Sequence, residues 1–152
     1  MPLKICGIDF AFTTGIAKST LQENKLVDTS SITFFDKDFQ KLKLLKFIDD
    51  SNILVAERPL KVYRKSFANA IYGRINWLSH VFPGRLILVH PSTLKTFLSL
   101  STSKPYQNVF TQARSSHEVD AIGLSLLGAL TLGYLDNDRR FDTLRYVYKV
   151  CL

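Results

Sequence analysis

Four side chains able to bind a divalent cation stand in this sequence where a charge is costly unless something pairs with it. Asp9 ends the apolar run "LKICGID", and an unpaired carboxylate on a buried strand is penalised by several kcal/mol. Glu57 ends "ILVAE", just before an Arg58-Pro59 break. Asp120 falls in the first turns of a long apolar segment, and His117, three residues earlier, shares its helix face. Parallel strands turn their C-terminal ends toward one crevice, so Asp9 and Glu57 meet there if their strands are neighbours. An oxygen-rich set with one imidazole suits Mg²⁺ or Mn²⁺ rather than zinc. Two such ions about 4 Å apart can activate a water and stabilise the departing oxygen of a phosphodiester.

Plainer roles exist for the same residues. A strand-end Asp is often a turn residue, Asp120 can serve the positive end of a helix dipole, and a single His is often structural. Glu118 is set aside as a ligand: "SSHE" reads as a capping box, with Ser115 as N-cap and Glu118 reaching back to the backbone. It also lies about 100° around the helix from His117. His80 and His90 have no partners in the sequence and are read as structural.

The elements that must hold these residues follow from periodicity. Residues 3–10 read as a strand, 15–19 as its hairpin partner and 26–35 as a third antiparallel strand. A helix over 38–49 would bury Phe39, Leu42, Leu45, Phe47 and Ile48. "NILVAE" and "RLILVH" are apolar without alternation, as strands covered on both faces are. Between them a helix over 62–81 carries Phe67, Ile71, Ile75, Leu78 and Phe82 in one stripe. Pro91 suits the first turn of a helix with Leu94, Phe97 and Leu98. Residues 99–108 are a loop, 116–134 the last long helix, and "RRFDTLRYVYKV" a basic, aromatic tail. Antiparallel strands followed by alternating helices and strands predict an α/β fold with a mixed sheet.

The 152 residues suit one domain, 1–152, with a single sizeable core, and 46% hydrophobic residues argue against disorder. Net charge of +7 favours a polyanionic partner, nucleic acid first and an acidic membrane surface second, though a basic protein without either fits the charge equally. Two cysteines, Cys6 and Cys151, form neither a disulfide framework nor a zinc spacing, which predicts a reducing compartment. The start "MPLKICGID" does not read as a signal peptide, and no apolar stretch is long enough for a membrane span.

"GIDFAFTTGIA" at 7–17, "VAERP" at 55–59, "HPSTLKTFLSLSTSKP" at 90–105 and "HEVDAIGLS" at 117–125 stand in that order. Together they resemble the motifs of the RuvC-type Holliday junction resolvases, in the ribonuclease H-like superfamily, over residues 3–134. The resemblance implies a mixed five-stranded sheet with helices on both faces. It implies Asp9, Glu57, His117 and Asp120 as the metal-binding catalytic set for two Mg²⁺ (or Mn²⁺) ions, with Lys104 as the basic residue at the site's edge and Lys95 as a second family lysine. It further implies a homodimer that nicks four-way DNA junctions symmetrically in recombination and repair, leaving 5′-phosphate and 3′-hydroxyl ends. Many relatives carry Asp where His117 stands, which bears on metal preference because imidazole is the softer donor. The segment between Lys104 and His117 is shorter than in bacterial members, and the junction-opening aromatic has Leu60 at its nearest position, with Tyr63 one turn later.

"ERPLKVYRKSFANAIYGR" supplies Arg58, Lys61, Arg64, Lys65 and Arg74 for phosphate contacts, and Tyr63, Phe67 and Tyr72 for base stacking or core; Phe67 is assigned to the core. With Lys95 and Lys104 and with Tyr63, these basic residues make the expected DNA-binding set. Two symmetric nicks need two sites in fixed relation, which a C2 dimer supplies. Ala68, Ala70 and Gly73 would let two copies of the 62–81 helix approach closely, or let that helix pack on its own sheet. Two rivals remain: a ribonuclease H-like nuclease acting on an RNA–DNA hybrid, recognised by A-form shape, and a non-catalytic branched-DNA-binding module. The expected setting is intracellular, in cytoplasm or nucleoid, with a virus, phage, bacterium or organelle as source.

Overall fold

The structure, a computed structural model, describes residues 2–11, 13–35, 41–58, 65–101, 106–136 and 149–150. Strand β1 (Leu3–Asp9) pairs antiparallel with β2 (Thr13–Gln22), and β2 with β3 (Lys25–Phe35). On its other side β1 runs parallel to β4 (Ile53–Glu57), and β4 parallel to β5 (Arg85–Val89). The sheet order is β3-β2-β1-β4-β5-β6, where β6 is the two-residue strand Lys149–Val150, antiparallel to β5. The five expected strands are therefore present, and the end of the C-terminal tail adds a short sixth.

Helices α1 (Lys41–Ile48) and α2 (Lys65–Val81) cover one face of the sheet; α3 (Pro91–Ser101), α4 (Gln107–Phe110) and α5 (Ser116–Thr131) cover the other. Alternate residues of the central strands feed the two cores. Ile5, Val55, Ile87 and Val89 pack with α3 and α5, while Cys6, Ile8, Leu54 and Leu86 pack with α1 and α2. A strand with a helix layer on each side has no wet face, which is why these runs lack alternation.

Some boundaries differ from expectation, each for a local reason. β2 is longer than 15–19 because it is paired on both sides, and the β2–β3 link is only Glu23 and Asn24. Both have positive φ, 53° and 61°, as a two-residue type I′ hairpin turn requires. The buried face of α1 is carried by Leu44 and Ile48, whereas Leu42, expected in the core, is 83% exposed. The stripe on α2 is confirmed for Ile71, Ile75, Leu78 and Phe82; the Phe67 side chain lies outside the described residues. The stretch read as a loop from 99 to 108 is narrower, since α3 continues to Ser101 and α4 begins at Gln107. Pro91 does open α3, and the His90 Nδ1 accepts the Ser92 N–H at 3.1 Å, so this imidazole caps the helix. His80 is hydrogen-bonded to the Asn76 carbonyl, again a structural use.

Candidate metal centre

β1 and β4 pair in register up to Ile8 and Ala56, so Asp9 and Glu57 emerge side by side one residue further on. Beyond Glu57, the Arg58 N–H bonds to the Val89 carbonyl at 2.8 Å, tying the strand end to β5. The third carboxylate arrives from the helix. Ser115, with extended φ of −152°, caps α5 and accepts the Glu118 N–H at 3.2 Å. From there α5 lies directly on β1 and β2. A Cβ on Gly7 would stand 2.1 Å from the Ala121 carbonyl oxygen, and one on Gly15 would stand 2.2 Å from that of His117. Only hydrogen at these two positions permits so close an approach, and the approach brings Asp120 and His117 over the end of β1.

Oxygens of Asp9, Glu57 and Asp120 then lie within 4.8 Å of one another. Asp9 is buried, and Glu57 and Asp120 are half-buried. Burial pushes the Glu57 carboxyl up to about 7, helped by the charges of Asp9 and Asp120. Asp120 is pushed up to about 6 by burial and by Asp9, with His117 opposing. Asp9 is raised by burial and held back by its hydrogen bond to His117, whose Nδ1 lies 3.0 Å from Asp9 Oδ2. Three crowded, desolvated carboxylates resist ionising together unless a cation joins them. The donor set, oxygen-only in its core with an imidazole at its edge, fits a hard divalent ion such as Mg²⁺ or Mn²⁺.

Of the expected set, Asp9, Glu57 and Asp120 form this cluster, and His117 meets it through Asp9. Glu118 does cap through its N–H, but its side chain does not turn back to the backbone. Its carboxylate accepts from Ser31 Oγ at 2.5 Å and from Thr33 Oγ1 at 2.6 Å on β3. Strand β3 crosses close enough to offer two hydroxyls, which a cap read along the chain alone could not register. Ser31 and Thr33 alternate with Ile32 and Phe34, so a polar residue at every second position was the available signal.

Among the expected DNA contacts, Arg58 and Lys95 are exposed. Arg74 is half-buried; its Nη1 donates to the Ala11 carbonyl at 3.2 Å and lies 3.5 Å from Thr14 Oγ1, bracing the β1–β2 turn beside Asp9. Lys61, Tyr63, Arg64 and Lys104 lie outside the described residues, as does the side chain of Lys65. Arg114, absent from the expected set, is exposed one residue before the cap of α5.

An α/β sheet with an antiparallel hairpin on β1, parallel β4 and β5, and α5 laid across the hairpin is the RuvC-type, ribonuclease H-like fold, and the solved structures bear this out. Thermus thermophilus RuvC in complex with Holliday junction substrate is similar with a TM-score of 0.60 at 13% identity, over 82% of this chain and 91% of that one. Another structure of Thermus thermophilus RuvC gives 0.60 at 12% identity, over 98% of this chain and 100% of that one. Fowlpox virus resolvase in complex with its substrate Holliday junction DNA gives 0.56 at 12% identity, over 86% of this chain and 99% of that one. No protein-family model and no curated protein matches the sequence.

Proposed function

We propose that this protein is a divalent-metal-dependent endonuclease acting on branched DNA, chiefly four-way junctions, as a homodimer that makes paired symmetric nicks. The observation that carries this reading is the convergence of Asp9, Glu57 and Asp120 to within 4.8 Å at the adjoining ends of β1 and β4. The likeness of fold to two resolvases solved with Holliday junction DNA supports the choice of substrate. Asp9, Glu57 and Asp120, with His117, would hold two Mg²⁺ or Mn²⁺ ions, which supply water activation and stabilisation of the leaving oxygen.

The chain's own residues do the rest. His117 fixes the orientation of Asp9 through its 3.0 Å contact. Arg58, Lys95 and Arg114, with Lys61, Arg64, Lys65 and Lys104 from the sequence, bind the phosphate backbone, and Tyr63 stacks on an exposed base. Arg74 keeps the turn after Asp9 in place. On α2, Ala70 and Gly73 are exposed, and among the described residues nothing lies within 4 Å of where a Gly73 Cβ would stand. Gly73 is therefore not small for packing on its own sheet, which favours a second copy of α2 as its neighbour. Among the described residues no helix is long and apolar enough to cross a membrane.

The test is cleavage of a labelled four-way junction beside linear duplex and RNA–DNA hybrid, with Mg²⁺ or Mn²⁺. Paired nicks on the junction are expected. Binding without cutting under either ion would establish a non-catalytic module, and cutting of the hybrid alone would replace the substrate.

A further inference from the structure

Helix α5 crosses β1 and β2 most closely at Gly7 and Gly15, two positions without side chains, while Ile5, Ala17 and Leu21 further along the same strands pack in the apolar core on that face. Gly7 and Gly15 allow close approach but offer no ridges for the helix to lock into, so sliding and rotation are weakly opposed there. Buried polar contacts oppose them instead. Ser125 Oγ and Ser19 Oγ lie 2.7 Å apart near the middle of α5. About two turns earlier on the same face, Glu118 is 2% exposed with both carboxylate oxygens accepting from β3, at 2.5 Å from Ser31 and 2.6 Å from Thr33. Thr33 Oγ1 also lies 3.2 Å from Ser115 Oγ, so the cap of α5 joins the same network. Hydrogen bonds to a buried carboxylate are short and directional, and losing them strands a desolvated charge. Glu118 adjoins His117 and stands two residues before Asp120.

We propose that Glu118 is a positioning residue: it clamps the first turn of α5 to β3 and so sets His117 and Asp120 against Asp9 and Glu57. Its oxygens are committed to the two hydroxyls, so it takes no place among the metal ligands. The consequence for cation binding rests on the metal-centre reading; the His117–Asp9 contact reports the clamp without any ion.

The experiment compares Glu118→Leu, Glu118→Gln and the double substitution Ser31→Ala with Thr33→Val in the full chain. Two quantities are read well below the melting temperature: Mn²⁺ affinity by calorimetry, and the His117 imidazole ¹⁵N shifts at fixed pH. Glu118→Leu and the double variant are expected to weaken Mn²⁺ binding roughly tenfold or more, the scale of lost outer-shell support, and to shift the His117 signals. Glu118→Gln keeps a hydrogen-bonding amide and is expected to stay within about threefold of wild type. If Glu118→Leu does not fold, Ser31→Ala and Thr33→Val taken singly each remove one bond and are expected to cost about threefold apiece. Folded variants with wild-type Mn²⁺ affinity and unmoved His117 signals, whatever their melting temperatures, would overturn the proposal. If the wild type binds no Mn²⁺, the metal reading fails, and the clamp then stands or falls on whether the imidazole signals shift.

Discussion

The two faces of the sheet are built differently. On the α1 and α2 side, Ile71, Ile75, Leu78 and Phe82 interlock with Cys6, Ile8, Leu54 and Leu86, and polar contacts sit at the rim, where Asp50 holds Lys4 and Lys18. On the α5 side, glycines let backbone lie on backbone, and buried Ser19, Ser125 and Glu118 supply directed bonds. Apolar burial stabilises without specifying position, because it is non-directional. Satisfied buried hydrogen bonds do the reverse: they add modest net stability but fix one arrangement. The face that carries His117 and Asp120 is the one that uses them.

Substitutions can separate these roles, beginning with the chemistry. Asp9→Asn is expected to lower junction cleavage by about a thousandfold or more, the scale of losing one member of a catalytic set, in single-turnover assays with Mg²⁺. Its melting temperature in chelator should match or exceed wild type, since one crowded negative charge is gone. Leu78→Ala, on the apolar face, is expected to lose about 2–5 kcal/mol in denaturant unfolding while Mn²⁺ affinity stays at the wild-type value. A loss of Mn²⁺ affinity there would erase the distinction between the faces.

Gly15→Ala tests the other side. Its methyl would collide with the His117 carbonyl, so a loss of about 1–3 kcal/mol is expected together with weaker Mn²⁺ binding by calorimetry. The pH dependence sharpens the same contrast. Glu57 near 7 and Asp120 near 6 lie above their ordinary values of 4.5 and 3.8. Between those limits the folded chain holds more protons than the unfolded one, so stability falls as pH rises. The penalty is absent below about 3.8 and complete above about 7. In chelator, melting temperatures should therefore fall from pH 5 to pH 8 more steeply for wild type than for Asp120→Asn, and Mn²⁺ should flatten the wild-type slope. The smallest effect is expected from Leu42→Gln, within about 0.5 kcal/mol in the same unfolding assay, because that side chain is already in solvent.

Much of this organisation was legible along the chain. The runs ending at Asp9 and Glu57 lack alternation because both faces are covered, and that pattern belongs to each strand separately. The α2 stripe was legible for the same reason, at helical spacing. Leu42 was misplaced because α1 is short and its neighbours allow more than one apolar face; contact with β3 and α2 selected Leu44 and Ile48. Glu118 was half legible: its cap depends on residues three apart, while its carboxylate depends on Ser31 and Thr33, far away in sequence.

By itself the sequence determined which residues could bind a cation, which elements carry them and the α/β order that sets strand ends in one crevice. Local spacing and hydrophobic period are enough for that. Only the tertiary structure decided that the three carboxylates meet, that His117 reaches the cluster through Asp9, and that Glu118 turns to β3. Those outcomes depend on the distance between α5 and the sheet, which Gly7 and Gly15 make small and which no periodicity along one chain can express.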